Sequence, residues 1–191
     1  MTLLKIARMG HPVLTARAEE VPDPSSREVR RLVEDMVETM IDAGGVGLAA
    51  PQVHIGRRVI IFHSPAARGE EGAAETGTAP MTALINPVVE PVGEEMAVAY
   101  EGCLSIPGLT GAVPRYARIR YRGFNAAGQP IEREATGFHA RVVQHEVDHL
   151  DGILFPMRMI DLSTLAFTEE LRRRAETPHE ADDDEEANDN A

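Results

Sequence analysis

From position 29 onward, Val29, Leu32, Val33, Met36, Met40 and Ile41 recur at helical intervals until Gly44-Gly45, the spacing that lines one face of a helix. Ser25 and Glu28 stand in capping-box relation ahead of that run, so the pattern predicts an amphipathic first helix entered through Ser25. Residues 58–62, 83–92, 95–104 and 117–124 are instead rich in β-branched or alternating residues and are broken by Pro and Gly, which predicts short strands. Residues 138–150 contain no turn formers and stop before Gly152, predicting a second helix, and residues 162–174 predict a third. Strands gathered between helices, rather than alternating with them, indicate an α+β fold built from small mixed or antiparallel sheets, with an N-terminal and a C-terminal helix.

The 191 residues suit one domain, expected over 1–175. Residues 64–80 mix Gly, Ala, Glu and Pro without periodicity and are expected to form a long surface loop. Residues 176–191 hold eight acidic side chains and no Lys or Arg, so they are expected to be a disordered acidic tail, with too little apolar surface to order. The whole chain carries a formal charge of −12, which argues against DNA as a partner, because phosphate neutralisation needs clustered cations. With no Trp, three Tyr and five Phe, the core must be aliphatic, and stacking platforms for single strands are not expected. A single cysteine, Cys103, cannot make an internal disulfide, and neither a signal peptide nor a membrane span is visible. A cytoplasmic protein without membrane contact is the expectation.

The chemistry concentrates in His145-Glu146-Val147-Asp148-His149. Imidazoles four residues apart lie on one helix face and can share a metal ion, with Glu146 beside its bound water. A catalytic site needs a third protein ligand and an open position. The metzincin pattern would require a third His where this chain has Phe155, which excludes that class. Glu169 or Glu170 in the third helix would give a thermolysin-like protease, whereas Cys103 in Glu101-Gly102-Cys103-Leu104-Ser105 would give a thiolate plus two imidazoles. A third segment, Gly45-Val46-Gly47-Leu48-Ala49-Ala50-Pro51-Gln52, permits close backbone approach through its glycines and offers the Gln52 amide to a developing oxyanion.

Together, Gly45 to Gln52, Glu101 to Ser105 and Gln144 to Leu150 resemble the three signature motifs of the peptide deformylase family, in the family's order. The resemblance runs from about Ile6 through Met159 and includes Gly10-His11-Pro12-Val13-Leu14 and Leu150-Asp151-Gly152-Ile153-Leu154-Phe155. It implies an α+β fold with the metal-binding helix packed between sheets, and a hydrolase that removes the formyl group from N-formylmethionyl peptides and nascent chains. Cys103, His145 and His149 would bind the metal, Fe2+ or in its place Zn2+, Ni2+ or Co2+. Glu146 would act as general base and acid, and the Gln52 side chain and Leu104 N–H would hold the oxyanion. Val46, Gly47 and Phe138 would contact substrate, with backbone groups of Val46 and Gly47 open to an added peptide strand. Glu101 would pair with Arg115 as scaffold, and Asp148 would bond a neighbouring ligand or Arg. Arg141 would border the pocket through its stem or be solvated. Arg172 to Arg174 would form a solvated helix face, with transient ribosome proximity as the alternative. Thr110-Gly111 departs from family members that carry a peptide-contacting Arg there. A catalytically silent peptide or metal binder is the other class of function compatible with these residues.

Overall fold

Val59 and Ile61 face one way from their strand while Ile60 and Phe62 face the other, and that alternation organises two of the three cores. The computed structural model describes residues 2–65 and 77–176. Val59 and Ile61 pack with Val29, Met36 and Met40 of the first helix, α1 (Arg27–Asp42). Ile60 and Phe62 pack with Ala140, Val143 and Leu150 of the second, α2 (Gly137–Leu150). Both pairs belong to β2 (Val59–Ser64), which lies between β1 (Gly47–Ala49) and β3 (Ala79–Pro91). Adding β6 (Arg118–Phe124) and β7 (Pro130–Thr136) completes a five-stranded antiparallel sheet in the order β1-β2-β3-β6-β7.

A second antiparallel sheet has the order β4-β5-β8, from β4 (Met96–Cys103), β5 (Ile106–Tyr116) and β8 (Ala166–Phe167). Its core gathers Ile106, Val113, Leu14, Leu154 and Phe155. The helix α2 touches strands of both sheets, so the H-E-x-x-H segment lies between them. The last helix, α3 (Thr168–Glu176), follows β8 directly. The observed architecture is the expected α+β arrangement, with antiparallel pairing throughout both sheets.

Local boundaries differ from the sequence expectation for identifiable reasons. Ser26, rather than Ser25, caps α1 by accepting from Val29 N–H at 3.3 Å. Asp23 has already captured the N–H and hydroxyl of Ser25 at 2.9 and 2.7 Å, an Asx turn that removes Ser25 from competition. The third helix starts at Thr168 instead of 162, because a short 3-10 turn (Leu162–Thr164) and β8 occupy the preceding residues. Four strands escaped the sequence pattern. In β5, Pro107, Gly108, Gly111 and Pro114 read locally as turns, yet Gly111 and Pro114 pair with Glu101 and Val98 of β4, while Pro107 and Gly108 fall in the register shift, where Gly108 takes φ +81°. In β7 the alternation is charged rather than apolar, since Glu134 pairs with Arg118 and Arg120 of β6. The expected loop over 64–80 is shorter than anticipated, as Ser64 closes β2 and Ala79 opens β3; its interior and tail residues 177–191 lie outside the described residues.

Candidate metal centre and active-site cleft

Two elements meet at the centre. On α2, His145 and His149 stand one turn apart, their rings edge-on with centroids 5.0 Å from each other. Facing them, β4 and β5 form a hairpin whose two turn residues are Leu104 and Ser105, with a register shift between Gly102 and Cys103. Such an irregularity re-aims a side chain. One ligand atom from each of Cys103, His145 and His149 lies within 4.8 Å of the other two, and Cys103 Sγ is 3.3 Å from His149 Nε2.

Buried charges surround this trio. Arg115 donates in bidentate fashion to Glu101, both bonds at 2.9 Å, and its third nitrogen reaches Asp148 at 2.5 Å. Asp148 also accepts from Arg158 at 2.7 and 3.1 Å. Glu101 accepts from His145 Nδ1 at 2.8 Å and from Arg141 at 2.8 Å. Burial pushes the Glu101 carboxyl upward, but hydrogen bonds from Arg115 and His145 override it and hold the group at about 2. In the metal-free protein, burial likewise opposes an imidazolium at His145, and its bonds to Cys103 and Glu101 outweigh that to raise it to about 10. Burial, with the positive charges of His145 and Arg115, keeps His149 well below its ordinary value and hence neutral.

Glu146 stands apart from that network. Burial raises its carboxyl to about 7 despite the opposing charge of His145, which suits a group that must both take and return a proton near neutrality. Its Oε2 is buried with no hydrogen-bond partner among the described residues. Gly47 leaves room for it, because a Cβ on Gly47 would overlap the Glu146 carboxylate and force it to move. Gln52 is 2% exposed, and its orientation is fixed from both ends. Its Oε1 accepts from Ala49 N–H at 2.8 Å, and its Nε2 donates to Ser105 Oγ at 3.1 Å and reaches Cys103 Sγ at 3.5 Å.

These groups share a cavity of about 640 Å³ lined by Val46, Gly47, Gln52, Cys103, Leu104, Phe138, Arg141, His145 and Glu146, among others. Of the metal, catalytic and substrate residues expected from the sequence, all but His149 line it. His149 lies behind the cleft surface, reaching the centre through Nε2. Phe138 is half exposed at the mouth. The carbonyl of Val46 is already taken by His63 N–H at 2.9 Å, so that group is closed to an added strand. Glu169 and Glu170 sit exposed on α3 outside the donor cluster, and Glu170 pairs with Arg173 at 2.7 Å, which removes the basis for a thermolysin-like site. Arg141 is buried rather than solvated; besides Glu101 it donates to the carbonyls of Ala97 and Val113 at 2.6 and 2.8 Å. Sequence reasoning missed the Glu101–His145 bond and the place of Arg172 on the cavity wall. The first could have been sought from the rule that a ligating His donates its other nitrogen to a carboxylate.

The donor set fits a divalent transition metal. One sulfur and two imidazole nitrogens converge, His149 is held neutral, and a carboxylate oxygen without a partner lies in the same cleft. Three protein donors beside an unengaged carboxylate define a hydrolytic metalloenzyme. Residues 3–164 match the polypeptide deformylase family, to which the chain belongs. It is 48% identical over 169 residues to peptide deformylase 1 of Nitrosomonas europaea, covering 87% of this chain and 93% of that protein. Identity to peptide deformylase 1 of Bordetella pertussis is 50% over 166 residues, with the same coverage of both chains. Among solved structures, the Met-Ala-Ser-bound class I type b peptide deformylase of Acinetobacter baumannii superposes with a TM-score of 0.74 at 36% identity, covering 83% of this chain and 99% of that one. This chain is a metal-dependent enzyme of protein biosynthesis that removes the N-formyl group from nascent peptides.

Proposed function

We propose that Glu146 is the general base and acid of this deformylation, that Gln52 Nε2 and the Leu104 N–H stabilise the oxyanion, and that Cys103, His145 and His149 hold the metal. The observation that carries the reading is the buried Glu146 Oε2, without a hydrogen-bond partner among the described residues, in the cleft that Cys103 and His145 line. A divalent ion held by these three ligands would activate a water and polarise the formyl oxygen. Fe2+ is the proposed occupant, and Zn2+, Ni2+ and Co2+ suit the same sulfur and imidazole donors.

The reaction adds water across the formyl C–N bond. Glu146 accepts a proton from the attacking water as its oxygen bonds to the formyl carbon. Charge then accumulates on the formyl oxygen, where the Gln52 amide, held by Ala49 and Ser105, would donate the N–H that now makes a long 3.5 Å contact with Cys103 Sγ. As the C–N bond breaks, Glu146 returns the proton to the amine nitrogen, giving formate and a free amino terminus.

The substrate is proposed to be an N-formylmethionyl nascent chain in the cytoplasm, met near the ribosome. Val46, Gly47 and Phe138 line the cavity that would take the methionine end, and the bound Met-Ala-Ser in the Acinetobacter protein has the form of a deformylated product. Among the described residues no helix is long and apolar enough to cross a membrane, and the lone Cys103 needs a reducing setting to stay a thiol ligand. Residues 1–175 are proposed to act as one catalytic domain, with 176–191 as an appended acidic tail. Formate release from a formyl-Met tripeptide by anaerobic Fe2+-loaded protein tests the reading, with Glu146→Ala as control. Rapid release that disappears in the variant supports it, whereas no release from folded, metallated protein would leave a silent binder.

A further inference from the structure

Arg172 lies on the wall of the same cavity as Glu146. The other charged side chains lining that cavity are engaged: Glu101 and Arg141 bond each other, His145 bonds Glu101, and Glu146 is the proposed base. Arg172 has no ion pair among the described residues, although Arg173 beside it is tied to Glu170. Glu169 is exposed on the same helix but does not line the cavity. Nor is α3 loosely attached. Phe167, just before it, pairs with Leu109 of β5, and Ile106, Pro107, Gly108 and Leu109 form the adjoining wall. This wall thus presents to whatever occupies the cleft one cation with no ion pair among the described residues.

A peptide whose formyl group reaches Glu146 leaves the cavity past this wall, and an extended one advances roughly 3.3 Å per residue. We propose that Arg172 is a specificity residue that pairs with an acidic side chain of the substrate downstream of its formylmethionine. The inference rests on the deformylase reading. The source of the carboxylate is a side chain, since a nascent chain still being made has no free carboxyl terminus. An exposed pair of this kind is worth a factor of about five or less in selectivity, and it weakens with salt.

The test uses the full-length Fe2+-loaded protein and C-terminally amidated formyl-Met peptides carrying Glu, Gln or Lys in turn at the second, third or fourth position. Amidation removes the terminal carboxylate as a rival source. The expected result is a higher kcat/KM for Glu than for Lys at one of these positions, by up to about fivefold at low salt. The Glu-to-Lys ratio should fall towards one in Arg172→Gln, invert in Arg172→Glu and persist in Arg172→Lys. Equal turnover of Glu and Lys peptides by the unmodified protein, or a preference that survives Arg172→Gln, would overturn the proposal. Release from the Gln peptides reports deformylation itself, so failure of the charge preference is distinguishable from failure of the enzymatic reading.

Discussion

Glu101 Oε2 accepts a 2.8 Å hydrogen bond from His145 Nδ1 while both carboxylate oxygens are gripped by Arg115. The bond orients the imidazole so that Nε2 carries the lone pair when the ring is neutral, and it ties a metal ligand to a buried ion network. Glu101→Ala should therefore weaken metal retention by about 10-fold to 100-fold. It also leaves Arg115 and Arg141 short of a buried counter-charge, and breaking such pairs costs about 3–5 kcal/mol. Thermal unfolding with a competitive chelator assay checks both; an unchanged Tm and unchanged metal affinity would refute the role.

The same pair sets a pH dependence for the metal-free protein. Glu101 is held at about 2, below its ordinary 4.5, so its contribution is fully present above 4.5 and is lost as pH falls from there towards 2. His145 is raised from 6.5 to about 10, so its contribution is fully present below 6.5 and is lost as pH rises towards 10. Metal-free protein should accordingly gain most from this pair between pH 4.5 and 6.5. Metal binding needs a deprotonated His145, so uptake should release protons and strengthen as pH rises towards 10. Urea denaturation of the apoprotein across pH, and calorimetric metal titration in buffers of different ionisation enthalpy, provide the checks.

Gly47→Ala places a methyl group where Glu146 now sits. The carboxylate must move, and a displaced general base forfeits much of the roughly 100-fold to 10,000-fold such groups supply. Since the three atoms nearest the added methyl group all belong to Glu146, metal content should hold while kcat falls. A kcat close to that of the parent would mean that Glu146 can work from a shifted position.

How much of this was legible beforehand depends on whether the information is local. His145, Glu146 and His149 could be placed together from helical periodicity because one turn of α2 sets their spacing. The apolar stripe of α1 was legible for the same reason, whereas its cap was misplaced because Asp23 decides between two adjacent serines. Cys103 could not be joined to the histidines by spacing alone; the hairpin that carries it depends on β5, whose prolines and glycines imitate turns. Arg141 and Arg172 show the same limit from opposite sides. Each is an arginine on a helix, and only tertiary packing distinguishes the buried anchor beneath β4 from the exposed cation on the cleft wall.

Gln52 makes two contributions that substitution can separate. Its Nε2 is the proposed oxyanion donor, while its Oε1 caps the otherwise buried Ala49 N–H. Gln52→Leu removes both, so it should lower kcat by about 100-fold to 1,000-fold and destabilise the fold by about 1–3 kcal/mol through the orphaned amide. Gln52→Glu keeps an acceptor for Ala49 but replaces the donor with an anion that repels the developing oxyanion. Its Tm should lie nearer the parent than that of Gln52→Leu, while its kcat should be no better. Steady-state formate release and thermal unfolding of both variants, at equal metal occupancy, decide the matter. Activity in Gln52→Glu approaching that of the parent would show that the Leu104 N–H and the metal suffice for the oxyanion, and that Gln52 serves only to hold Ala49 and Ser105 in place.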